Sequence, residues 1–115
     1  MSDIPILDDI KLMLGIEKDD KSFDQEIAIH MEAAFSQLVS MGLEYHKPDE
    51  DKSSTWHNLF PDSRVTGLIA EYTYLFVKRL FDPPQTSFAN QAISEVRNEL
   101  GWRIMQESER SEYID

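Results

Sequence analysis

Cysteine is absent from the 115-residue chain, which excludes disulfide cross-links, a thiolate nucleophile and any cysteine-based metal site. Glycine is scarce, at four residues, and none falls in a phosphate-cradling loop or a serine elbow. Long apolar runs are missing too. Charge interrupts each within a few residues, which excludes a membrane span. Met1-Ser2-Asp3-Ile4-Pro5 has neither a basic region nor an apolar core, so no secretory signal is expected. Positive charge is also short: 11 Lys+Arg against 22 Asp+Glu leave −11 at pH 7. Nucleic-acid affinity comes largely from cations that displace counterions at phosphates. A net anion with dispersed basic residues is therefore a poor grip for DNA or for an anionic membrane.

Metal-ligand spacing is missing as well. His30, His46 and His57 form no i, i+3 or i, i+4 pair that would set two ligands on one helix face. The residues three before them are Ile27, Leu43 and Ser54, so the Glu-x-x-His pair of di-iron bundles does not occur. Asp49-Glu50-Asp51 lacks the central glycine of a calcium loop. No catalytic, cofactor-binding or metal-binding residue is expected, and an enzyme is the least favoured class.

What is present is enough for one core. Hydrophobic residues make up 41% of the chain and include two tryptophans and six phenylalanines. The periodicity predicts an all-α fold, a small bundle of about four helices with one long loop between the second and third. The first helix is expected over Ile6–Leu14, opened by Pro5 and stopped by Gly15. Ser22-Phe23-Asp24-Gln25 fits a capping box, and the second helix should continue to about Met41, with Gly42 after it. The third should start near Pro61-Asp62-Ser63 and run to about Leu80, ended by Asp82-Pro83-Pro84. The fourth should follow Thr86-Ser87 and continue to about Ser108, with a fraying acidic tail. One domain over 1–110 and a tail over 111–115 are expected. Ile27, Met31, Leu38, Leu68, Tyr72, Phe76, Val96 and Leu100 should be buried together, and Ala89, Ala92, Ile93, Trp102, Ile104 and Met105 of the fourth helix should join them.

Glu44 to Phe60 has no periodicity. Its polar first half should be mobile in a free subunit, because it buries too little apolar area to offset ordering entropy. Its second half holds Trp56, Leu59 and Phe60, which must either cap the bundle's end or dock on a neighbour. Gly67 and Gly101 fall inside predicted helices, where glycine costs about 0.5–1 kcal/mol relative to alanine. They mark either local tolerance or close approach of another helix. These five residues are the candidate interface positions.

Several stretches carry a family resemblance. Ile6-Leu7-Asp8-Asp9-Ile10-Lys11-Leu12-Met13-Leu14-Gly15-Ile16 is similar to a short first helix ending in leucine-glycine-isoleucine, followed by an acidic loop and a long helix. Tyr72-Thr73-Tyr74-Leu75-Phe76-Val77-Lys78-Arg79 resembles a third helix with a tyrosine and a terminal basic pair. Leu80-Phe81-Asp82-Pro83-Pro84 precedes a fourth helix carrying Leu100-Gly101-Trp102-Arg103-Ile104. Together they resemble the phage head-tail connector family, also called adaptor or head-completion proteins. That family often has glutamate-tryptophan-arginine where this chain has Gly101-Trp102-Arg103, and the Glu44–Phe60 loop has no firm counterpart.

The resemblance implies a structural subunit of a closed ring of about twelve copies, stacked on the portal protein and joined to other neck or tail proteins. Its place would be the virion neck, reached from the host cytoplasm during assembly. The ring would complete the head after DNA packaging and offer the tail a docking surface. DNA would be a non-specific passenger, and neither a membrane nor a cofactor would be involved. An acidic DNA mimic, or a helical regulatory inhibitor of phage origin, is the alternative. A mimic needs carboxylates in duplex-like rows, whereas many of these acids cluster in loops and the tail.

Overall fold

Pro5 precedes a first turn rich in acids, and the left-handed conformation of Gly15 (φ 80°) ends the helix they begin. The Gly15 and Ile16 N–H groups return to the carbonyls of Leu12 and Lys11 at 3.1 and 2.8 Å, which satisfies the last turn's free acceptors. This is α1, Ile6–Leu14. The computed structural model describes residues 4–47, 54–62 and 64–114, with side chains as far as residue 108. Four more helices follow: α2 (Asp24–Ser40), α3 (Trp56–Leu59), α4 (Thr66–Phe81) and α5 (Ser87–Ile114). There is no strand among the described residues, and the all-α expectation holds.

The element ends differ from expectation in four places. The capping box at Ser22 does not form. Phe23 is the N-cap of α2 and has no side-chain bond, because the Ser22 N–H is taken by Asp20 Oδ1 at 3.0 Å. The reciprocal cap occurs instead at α3, where Asn58 N–H donates to Thr55 Oγ1 and Thr55 N–H to Asn58 Oδ1 at 3.3 and 3.0 Å. The long connection therefore contains a fifth helix, one turn long and too short to show periodicity. α4 begins at Thr66, later than Pro61–Ser63. Asp62 organises the turn before it, accepting the Arg64 N–H on Oδ1 and the Thr66 hydroxyl on its carbonyl, both at 3.1 Å; Ser63 lies outside the described residues. α5 starts where expected, with Thr86 Oγ1 capping the Ala89 N–H at 3.1 Å. It does not stop near Ser108 but continues through Ile114, since that stretch contains neither glycine nor proline.

α4 is the central helix. α2 and α5 each lie along it and have little contact with one another, so the two flank it in a body of 44 × 37 × 21 Å. The core takes Ile27, Met31, Ala34, Phe35 and Leu38 from α2, Ile69, Ala70, Tyr72 and Val77 from α4, and Leu100 and Ile104 from α5. α1 adds Ile6 and Ile10. Most of the expected buried set is inside, with Leu68 and Phe76 half-buried. Val96 is not inside: it is 44% exposed, and Trp102 and Met105 of the same helix are also exposed. The inward face of α5 is rotated onto Ile93, Arg97, Leu100 and Ile104. Arg97 lays its guanidinium over the Phe76 ring, 5.3 Å from the centroid. A half-buried arginine stem thus occupies a position that an apolar pattern cannot show.

Candidate interaction surfaces

Of the two roles open to Trp56, Leu59 and Phe60, capping the bundle's end or docking on a neighbour, the structure places them in the first, inside the chain's own core. Trp56, Leu59 and Phe60 are all fully buried. Phe35 meets the Trp56 and Phe60 rings edge-on, at centroid distances of 6.4 and 5.6 Å, a geometry favoured by the ring quadrupoles. The Trp56 indole N–H donates to Asp9 Oδ2 at 2.7 Å, and both groups are buried. Backbone bonds secure the same corner, from Ile6 N–H to the Ser54 carbonyl and from His46 N–H to the Leu59 carbonyl, both at 2.9 Å. Residues 54–60 therefore clasp α1 against the end of the bundle. The stretch expected to be mobile falls partly on residues 48–53, which lie outside the described residues.

The two glycines separate. Around Gly67 nothing lies within 4 Å of an added Cβ, and the residue is exposed. At Gly101 an added Cβ would stand 3.2 Å from Met41 Cε and 3.4 Å from Tyr72 Cε2. Gly101 thus lets α5 close on α4 and on the end of α2 within one chain.

Near the start of α2, sequence reading missed an internal ion pair. Lys11 is 1% exposed, and its ammonium sits 2.8 Å from Asp24 Oδ1 and donates to the Lys18 carbonyl at 3.0 Å. The clue was available: Lys11 stands on the apolar face of α1, one residue after Ile10. Burial of an amine there requires a carboxylate partner.

What faces outward is more informative. On α5, Phe88 is 83% exposed and Trp102 60%. Phe88, Ala92, Glu95, Glu99, Trp102 and Gln106 recur at three- and four-residue intervals and are all exposed, so they share one outer stripe. On the far flank, Ile29 is 58% exposed and Val39 42%, amid the exposed Glu32, Ala33, Ser36 and Ser40. These outward hydrophobics are the positions that periodicity alone misplaces or passes over.

An open groove of about 700 Å³ separates Arg79 and Leu80 at the end of α4 from Ser87, Asn90 and Gln91 at the start of α5. A pocket of about 190 Å³ lies between Phe60, Val65 and Glu44. The groups with displaced ionisation do not gather at either. Hydrogen bonds from Ser22 hold the Asp20 carboxyl low. Burial raises the phenols of Tyr45, helped by the Glu32 charge, and of Tyr72, opposed by Arg97. Among the described residues no cluster of histidine and carboxylates could hold a metal ion, and no helix is long and apolar enough to cross a membrane.

Comparison with known proteins gives one assignment. The family model described as phage connector protein matches residues 6–111. No curated protein and no solved structure matches the chain. The match begins with the first residue of α1 and ends inside the last turns of α5, so it takes in the clasp, the central helix and both flanks. A connector is a structural component by its description, which agrees with a molecule whose shaped surfaces are outward helix faces. The chain belongs to the phage connector protein family.

Proposed function

We propose that the protein is a structural subunit of a head-tail connector ring, about twelve copies stacked on the portal protein in the virion neck. It is made in the host cytoplasm and joins the particle during assembly. The ring completes the head after DNA packaging and presents a docking surface to other neck or tail proteins. The observation that carries this reading is membership of the connector family across residues 6–111. A body 21 Å thin with large apolar side chains exposed on both flanks suits a wedge between identical neighbours. The charge of −11 suits a passage for DNA, because like charge repels phosphate and leaves the duplex free to slide.

Sedimentation velocity over a concentration series, with and without purified portal protein, tests the reading. The expected result is a monomer or mixed small oligomer when dilute, and ring-sized species when the chain is concentrated or templated by the portal. A strictly monomeric chain that ignores the portal would overturn it. Retention of the assembled ring on duplex DNA at physiological salt would overturn the passenger role.

A further inference from the structure

We propose that α1 is a releasable latch, which swings out as a unit about residues 15–23 while α2, α4 and α5 stay folded, and so uncovers Trp56. Three observations carry it. The first is where buried charge lies. Among the described residues the buried charged side chains are Asp9 and Lys11, and both belong to α1. Asp9 receives a neutral donor, the Trp56 indole N–H. Asp24 Oδ1 lies 2.8 Å from the Lys11 ammonium but outside hydrogen-bonding angles, and it accepts no hydrogen bond among the described residues. Charges taken out of water lose hydration that only well-formed partners offset. Opening α1 returns Asp9 and Lys11 to water, so this inner face holds the helix less firmly than an apolar face of equal area would.

The second is the joint. Gly15 ends α1 in the left-handed conformation, with nothing within 4 Å of an added Cβ. Residues 17–19 and 21–23 are exposed. The turn bonds there are local, from Asp20 N–H to the Glu17 carbonyl and from Ser22 N–H to Asp20 Oδ1, both at 3.0 Å. Phe23 fixes the far end of the joint by its edge-on contact with Phe81, 5.3 Å between centroids. The third is what stays behind. α4 lies between α2 and α5, and Leu38, Ile69, Tyr72, Leu100 and Ile104 supply those helices with buried side chains of their own. Beyond the two charged contacts, the swing withdraws Ile6 and Ile10 and breaks the bond from Ile6 N–H to the Ser54 carbonyl. A unit of that size opens below the limit set by global unfolding. The open state bares Trp56 beside the Phe35 ring, an aromatic surface that the closed subunit lacks.

Native-state hydrogen exchange on the full-length wild type, followed by NMR over a series of low urea concentrations, tests the latch. The amides of Ile10 to Leu14 and the Trp56 indole N–H should exchange together. Corrected for intrinsic rates, they should exchange at least tenfold faster than interior amides of α2 and α4. Their urea dependence should be weaker, because a partial opening exposes less surface. A single rate and urea dependence for all these groups would overturn the latch. So would fast α1 amides beside a Trp56 indole that keeps the global rate, since that is fraying and not a swing. The double variant Lys11→Met/Asp24→Leu puts apolar groups in place of the ion pair and should slow α1 and Trp56 exchange at least tenfold. Unchanged or faster exchange in that variant would overturn the role given to buried charge. Should it fail to fold, Lys11→Met/Asp24→Met takes its place, and the wild-type measurement decides the swing in either case.

Discussion

Replacing Trp56 by phenylalanine keeps a ring in the core and deletes the N–H that binds Asp9. The cost can be worked from the geometry. The 2.7 Å bond ends on a carboxylate that is 6% exposed, and hydrogen bonds to charged groups contribute about 1.5–3 kcal/mol. The missing ring atoms leave a small cavity against Phe35, worth roughly 1–2 kcal/mol more. Trp56→Phe should therefore destabilise the subunit by about 2.5–5 kcal/mol, a large share of the ~5–15 kcal/mol that holds a domain folded. Asp9→Ala strands the indole donor instead and should cost about 1–3 kcal/mol. Because both changes delete the same bond, the double variant should be at least ~1 kcal/mol more stable than the sum of the single losses implies. Urea unfolding at a common m-value measures all four corners of the cycle. Additivity within about 0.3–0.5 kcal/mol would refute the clasp as an energetic unit. A Trp56→Ala variant of unchanged stability that could not assemble would show that the ring docks outward after all.

Other expectations follow from the same geometry. Gly67→Ala, with open space around it, should gain about 0.5–1 kcal/mol in thermal unfolding from helix propensity alone. Gly101→Glu should lose more than ~2 kcal/mol, because it buries a carboxylate against Met41 and Tyr72. Lys11→Met removes the buried ammonium and leaves Asp24, 18% exposed, without its cation. A loss of about 2–3 kcal/mol is expected after discounting the classical 3–5 kcal/mol for solvent access, and a loss below ~0.5 kcal/mol would show the pair to be idle. Tyr72 stays protonated in the fold to higher pH than in the unfolded chain, whose phenol has the ordinary value of 10.0. The native state then holds the extra proton, so its stability is full below about pH 10 and falls as pH rises through the folded value. Phenolate absorbance should show a late-ionising component that Tyr72→Phe removes.

How much of this was legible in the sequence depended on length of pattern. α1 and the ends marked by Gly15 and Gly42 were readable, because Ile6, Ile10 and the left-handed glycines obey local rules. α3 was not, since four residues show no period and its cap is formed by Thr55 with Asn58 rather than by an acidic residue. The outward turn of Val96 and Trp102 was hidden by Arg97, which packs its stem where an aliphatic residue was expected. The roles of Lys11 and Asp9 were hidden for the opposite reason: each looks like ordinary surface charge, and only tertiary placement beside Asp24 and Trp56 makes it interior. The aromatics after the loop, Trp56, Leu59 and Phe60, are legible as a cap only once α1 and Phe35 are placed against them.

The clasp also governs time. Its Asp9–Trp56 bond joins residues 47 apart, and closing a loop of that size costs about 3 kcal/mol of chain entropy before the contact contributes anything. Pairing of α4 with α5 across the short Asp82–Thr86 turn is far more local and forms earlier. By that ordering the clasp is expected to close late, so weakening it should leave the folding arm of a chevron in place and speed escape from the native state. The lifetime of a subunit that must outlast its synthesis inside a particle is set by that escape rate more than by equilibrium stability. One indole and one carboxylate should therefore set much of that rate, and unfolding of Trp56→Phe in a stopped-flow series measures it.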